Sequence, residues 1–240
     1  MEDSHLRALA PRILTVLFLV SLSFGAGVAA AQDTEPDLPG VAVMDFTGFM
    51  LGEGGNSAPL GKAVSAMLTT ELSSRDGMRV VERQAIQTLL TEQRLALSGR
   101  VDEDTAIRVG RMVGAQYVIL GQAASVGGTL RLDMRAVNVE TSEVLTVQKV
   151  TGQPTDLLSL VVHMADIFSQ RLELEAPSSR PQMEPIPVQA TIAFSRGVDF
   201  EDKGEVDKAI EQYRRALEIF PEHRDAQKAL ERLQGGGEGR

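Results

Sequence analysis

The chain has 240 residues, 24 basic and 33 acidic, a net charge of −9 and a pI near 4.9; this length suits one or two domains. Hydrophobic residues make up 43% and charged residues 24%, while aromatics reach only 4% with no Trp. The composition argues against wholesale disorder and against a nucleic-acid surface, which needs basic phosphate contacts and stacking rings. The absence of Cys removes disulfides, thiolate metal sites, catalytic thiols and an acylated amino-terminal Cys.

Arg7 and Arg12 precede the apolar run ILTVLFLVSLSF (13–24), and Ala29-Ala30-Ala31 leads to Gln32. A basic start, a short apolar core and small residues at a cleavage point predict a signal peptide over 1–31. The run is shorter than the ~20 residues of a membrane span, and nothing later approaches one. The expectation is therefore an exported periplasmic protein, at most outer-membrane associated, that is not a lipoprotein.

An α/β domain is expected over 40–174. Val41 to Phe46 reads as a buried strand by length and branching, followed by a Gly-rich loop, Gly48 to Asn56. Leu60, Ala63, Val64, Met67, Leu68 and Leu72 recur at helical spacing between Pro59 and Gly77. Arg79-Val80-Val81 is a second strand, and Ile86, Leu89 and Leu90 mark a second helix. Asp102 is placed to cap a third helix, Glu103 to Val113. Gln116 to Ala123 is a third strand, and Gly127-Gly128 a hairpin turn. Leu130, Leu132 and Met134 alternate with Arg131, Asp133 and Arg135, which gives a strand with one wet face. A last strand, Val144 to Val150, and a helix opened by Pro154 and Asp156 complete a mixed sheet packed with helices. Pro177, Pro181, Pro185 and Pro187 mark a linker over 175–188. A helical segment (189–234) and a frayed tail (235–240) follow.

Taken in order, VAVMDFTG (41–48), LTTELSS (68–74), RVVER (79–83), LLTEQRLALSG (89–99), GAQYVILG (114–121) and VNVETSEV (137–144) resemble the CsgG-type family, named for the curli production assembly/transport component. The resemblance covers about Gly40 to Leu174. It implies a fold similar to the amino-terminal domain of TolB and to penicillin-binding-protein activator lipoproteins. Two departures limit it. The family's channel is anchored by an acylated Cys, absent here, and it inserts β-hairpins into the outer membrane. A spanning strand needs ~9–11 residues, and the loop from Gly48 to Pro59 is too short and too glycine-rich for two. The resemblance therefore implies the fold and the compartment, not a pore.

Gly197, Phe200, Gly204, Ala209, Tyr213, Ala216 and Pro221 sit at tetratricopeptide-repeat spacing. One repeat-like hairpin plus a capping helix is expected, although Ala193 and Arg196 replace the usual aromatic and leucine. Phe200 and Tyr213 are expected between the two helices. Ile192, Phe194, Ile210 and Leu230 are expected on an exposed docking face. One helical pair cannot bury its apolar face alone, so this segment needs another surface: its own first domain, a second copy or a partner.

No constellation supports catalysis, a cofactor or a metal. Gly55 to Lys62 fails the phosphate-loop spacing and lacks the hydroxyl residue after the Lys, so Lys62 reads as a helix-surface side chain. His163 has only Asp166 within ligand spacing. Asp102, Glu103 and Asp104 stand where a helix amino terminus favours negative charge. Glu82 and Arg83, between a strand and a helix, read as a cap or an ion pair. The expectation is a non-enzymatic envelope protein acting on envelope or secreted proteins in assembly or secretion, with homo-oligomerisation open. The alternative is an allosteric activator of a peptidoglycan synthase.

Overall fold

A computed structural model describes residues 38–48, 50–51, 57–92, 102–175 and 183–235. The expected signal peptide, the centre of the glycine loop, residues 93–99 of the fourth family phrase, Pro177, Pro181 and residues 236–240 lie outside the described residues.

The sheet is built on β1 (Gly40–Val43), flanked in parallel by β4 (Arg79–Val80) and β5 (Tyr117–Val126). Beyond β5, β6 (Thr129–Asn138) and β7 (Val144–Gly152) continue antiparallel, giving the order β4-β1-β5-β6-β7. β1 is apolar throughout because it is covered on both faces. Val41 and Val43 enter one core, while Ala42 and Met44 enter the other. Gly127 and Gly128 close the β5–β6 hairpin with φ of +59° and +78°, the left-handed pair that such a turn demands. Along β6, Leu130, Leu132 and Met134 are buried, while Arg131 and Arg135 are exposed.

Helices α1 (Leu60–Ser73) and α4 (Leu157–Arg171) pack on one face of the sheet. Helices α2 (Arg83–Glu92) and α3 (Glu103–Met112) pack on the other. Asp102 does cap α3: its carboxylate accepts from the Thr105 amide at 2.8 Å, and these hydrogen bonds hold its pKa below the usual value. Glu103, in the first turn of α3 with Asp104, pairs with Arg135 of β6 at 2.8 Å. Arg75, just past α1, is buried and reaches Asp166 of α4 at 3.0 Å and Glu71 at 2.8 Å.

The strand expected to run to Phe46 stops at Val43. The Phe46 amide turns to the Ser65 hydroxyl at 2.7 Å, although Thr47 rejoins β5 by a single bridge to Gln122. The glycine loop holds a short antiparallel pair, β2 (Met50–Leu51) with β3 (Ser57–Ala58).

Three helices follow the Pro-rich stretch: α5 (Val188–Asp202), α6 (Val206–Ile219) and α7 (Arg224–Gly235). Ile186 is buried and its amide donates to the Thr155 carbonyl at 3.0 Å. This pins the end of the Pro-rich stretch beside α4. Buried residues of α5, α6 and α7 share one continuous core with α1, α4 and the sheet. The whole assembly from Asp37 onward is one compact unit.

Candidate interaction site

The seam between α1, the β4–α2 junction and helices α5–α7 concentrates the buried charge of the molecule. Asp45 follows β1 and Arg83 opens α2 just after β4, so both sit beyond the carboxyl ends of parallel strands, where open α/β sheets present their sites. Lys62 lies in the first turn of α1. The last turn of α5 places Asp199, Glu201 and Asp202 opposite them.

Arg83 bridges both sides. It donates to Asp45 at 2.6 Å and to both carboxylate oxygens of Asp202, one of them at 2.8 Å. Lys62 donates to Asp199 at 2.8 Å and stands 2.7 Å from Asp202. Gln87 donates to the second oxygen of Asp45 at 3.0 Å. Glu201 accepts from Gln84 at 2.5 Å, Tyr213 at 2.6 Å and Arg232 at 2.5 Å, which ties α2, α6 and α7 to one carboxylate. Burial alone would pull Lys62 and Arg83 down, but the facing aspartates win and raise both. Burial likewise opposes ionisation of Asp199, yet Lys203 and Lys62 hold its pKa low. The Tyr213 hydroxyl is pushed up by burial and by the Glu201 charge, so it remains a donor. The network is charge-matched, although the buried Nε of Arg83 has no hydrogen-bond partner, and paired buried polar groups of this kind rigidify a structure.

Beside it lies a cleft of about 280 Å³. Thr69, Thr70 and Ser73 of α1 form one wall, and Asp225, Lys228 and Arg232 of α7 the other. Asp225 is buried, and one of its carboxylate oxygens has no partner. Burial pushes its pKa up against the opposing pull of the Thr70 hydroxyl. Beneath the cleft, Phe194 packs at 5.8 Å from Tyr213 and 4.7 Å from His223. Gly197 makes that packing possible, because a Cβ there would stand 2.5 Å from the Tyr213 ring.

The residues expected on a docking face are placed differently. Ile192 and Phe194 are buried, with 4% and 2% exposure. The surface they needed is supplied within the chain, where they join the core shared with α1. Tyr213 is buried as expected, whereas Phe200 is only half-buried. Lys203 and Lys208 lie over its ring at 5.9 and 5.5 Å, so it closes the outer edge of the hairpin and is not central. Ile210 and Leu230 are half-buried. Lys62, read as a surface side chain, is held by two aspartates. Arg83 is ion-paired, and its neighbour Glu82 is exposed. His163 is exposed on α4, and Asp166 faces Arg75. Among the described residues, no group of His, Asp or Glu could hold a metal, and no helix is long and apolar enough to cross a membrane. Sequence reasoning missed the acidic end of α5, Asp199 to Asp202. Its density of carboxylates at a helix carboxyl terminus, where the dipole disfavours them, was the available signal.

Residues 38–127 match the family model described as curli production assembly/transport component CsgG. No curated protein matches the chain. Among solved structures, the LpoB C-terminal domain from Salmonella enterica is 22% identical, covering 48% of this chain and 82% of its own, with a TM-score of 0.39. TolB from Acinetobacter baumannii is 12% identical over 56% of this chain and 28% of its own, with a TM-score of 0.37. Lipoprotein GNA1162 from Neisseria meningitidis is 12% identical over 56% of this chain and 99% of its own, also at 0.37. The family match runs from just before β1 to the tip of the β5–β6 hairpin, and α5–α7 lie beyond it.

Proposed function

We propose that this is a non-enzymatic periplasmic or outer-envelope protein that works by binding other proteins in envelope assembly or secretion. The observation that carries the reading is the CsgG-type match over residues 38–127. The antiparallel α5–α6 hairpin, closed around Gly197 and Tyr213, supports treating the tail as one repeat-like unit capped by α7. Its inner face is occupied by α1. Partner contact is therefore assigned to the outer side of the tail, with half-buried Ile210 and Leu230 at its edge.

Periplasmic cross-linking of the full chain followed by mass spectrometry tests this. The expected product is a cross-link to an envelope or secreted protein, with the recovered chain beginning at Gln32. A peptidoglycan synthase as the dominant partner would replace the assembly reading with synthase regulation. Recovery of cytoplasmic proteins alone, with residues 13–24 retained, would overturn the compartment and the function together.

A further inference from the structure

β7 is an edge strand, and it is unlike the sheet's other edge. β4 has two residues, whereas β7 has nine, Val144–Gly152. An edge of that length presents a row of unpaired amides and carbonyls unless Pro, bulges or charges defend it. β7 contains no Pro and one charged residue, Lys149. The ladder irregularity at Ala136/Val137 lies at the hairpin end and leaves Thr146 to Gly152 in regular register.

The ladder also fixes which groups face outward. The Asn138 amide donates to the Glu143 carbonyl on the β7 side, and the Val139 amide donates to the Gln116 carbonyl on the β5 side. Alternate residues of a strand direct their backbone groups to opposite neighbours, so Leu130, Leu132, Met134 and Ala136 address β7. Their partners there are Gly152, Val150, Gln148 and Thr146. Val147, Lys149 and Thr151 consequently direct their amides and carbonyls away from the sheet. Their side chains are exposed too, and Val147 is 59% exposed.

We infer that β7 is a self-association edge, on which a second copy of this chain pairs antiparallel and extends the sheet. Self-complementarity selects the second copy over an unrelated strand. A two-fold centred on Lys149 would set two ammonium groups face to face, and one centred on Gln148 would set each Val147 against an ammonium. Centred on Val147, the pairing buries two exposed valines against each other. It also keeps the two Lys149 ammonium groups apart, so like charges do not meet across the pairing.

The chain has no Cys, so Val147→Cys introduces a single thiol. Hydrogen-bonded antiparallel pairs hold their Cα atoms about 5.5 Å apart, within disulfide reach. Mild oxidation of the purified full chain is expected to give a covalent dimer for Val147→Cys and none for Val126→Cys, which is exposed at the hairpin tip. Sedimentation equilibrium of the unmodified chain is expected to show a concentration-dependent dimer. Val147→Pro removes an outward amide while sparing the β6–β7 ladder, and should weaken dimerisation by roughly tenfold or more with an unchanged circular dichroism spectrum. Val147→Lys, which opposes two charges, should do the same and serves if the Pro variant misfolds. A strictly monomeric unmodified chain, a dimer indifferent to both substitutions, or equal cross-linking through Val126→Cys would each overturn the inference.

Discussion

Acidification should loosen the docking of α7, and His223 sets the size of the effect. Its ring is 1% exposed, lies 4.7 Å from Phe194 and 6.4 Å from Phe220, and neither nitrogen has a hydrogen-bond partner. Burial lowers its pKa from 6.5 to about 4. Above pH ~6.5 both folded and unfolded chains carry a neutral ring, so His223 adds no pH dependence there. Between about 6.5 and about 4 the unfolded chain takes up a proton that the folded chain refuses. Stability falls across that window and then levels, by at most roughly 3 kcal/mol. Asp225 acts in the opposite sense. Its raised pKa means that the folded chain holds a proton at pH values where the unfolded carboxyl has lost it, so acidification through that range restores stability. Lys228, which pulls that pKa down, and Glu71, which pushes it up, face the same carboxyl. The two effects separate by substitution. Urea unfolding of the unmodified chain and of His223→Leu, at steps from about pH 7 to about pH 4, should show the unmodified chain losing stability relative to the variant as pH falls. Asp225→Asn should steepen the loss seen in the unmodified chain. Parallel pH profiles for the unmodified chain and His223→Leu would refute the assignment.

The charge network gives a second expectation. Arg83→Met leaves Asp45 without its cation and Asp202 with Lys62 alone at 2.7 Å, which should cost about 3 kcal/mol in urea unfolding, the low end for a broken buried pair. Adding Asp202→Asn should recover part of that loss, and strictly additive effects would show that the two side chains do not act together. Gly197→Ala forces a methyl against the Tyr213 ring and should destabilise by about 1–3 kcal/mol; an unchanged melting temperature would mean that α5 and α6 are less tightly apposed than the structure places them.

Most of the α/β architecture was legible because its signals are local. The alternation along β6 has period two, the apolar spacing of α1 and α4 has the helical period, and Gly127-Gly128 and Asp102 carry turn and cap chemistry in single residues. Errors fell where tertiary contact overrode local preference. Met44 and Phe46 are as apolar and nearly as buried as the strand before them, yet the Phe46 amide is claimed by Ser65, a partner no strand pattern announces. The tail shows the same limit on a larger scale. Its small and aromatic residues correctly indicated a close helical pair. Periodicity identifies an apolar face but not what covers it, and so Ile192 and Phe194 were expected on the outside.

The ionic seam was illegible for a stronger reason. Arg83 and Asp202 are separated by 119 positions, and Lys62 and Asp199 by 137. In sequence, Lys62 is a charge on a helix start and Asp199 to Asp202 are carboxylates at a helix end, each an ordinary surface feature. The arrangement is costly for either side alone. Without α5, Lys62 and Arg83 would stand together beside a single Asp45, and without α1 and α2 the carboxylates would crowd the negative end of a helix dipole. Each half therefore stabilises the charge that the other half brings. That reciprocity explains why three helices outside the segment matched by the family model are seated on it by carboxylates and cations as well as by apolar packing. It also means that a partner that neutralises Lys62 and Arg83, or supplies a cation to Asp199 and Asp202, would favour release of the tail.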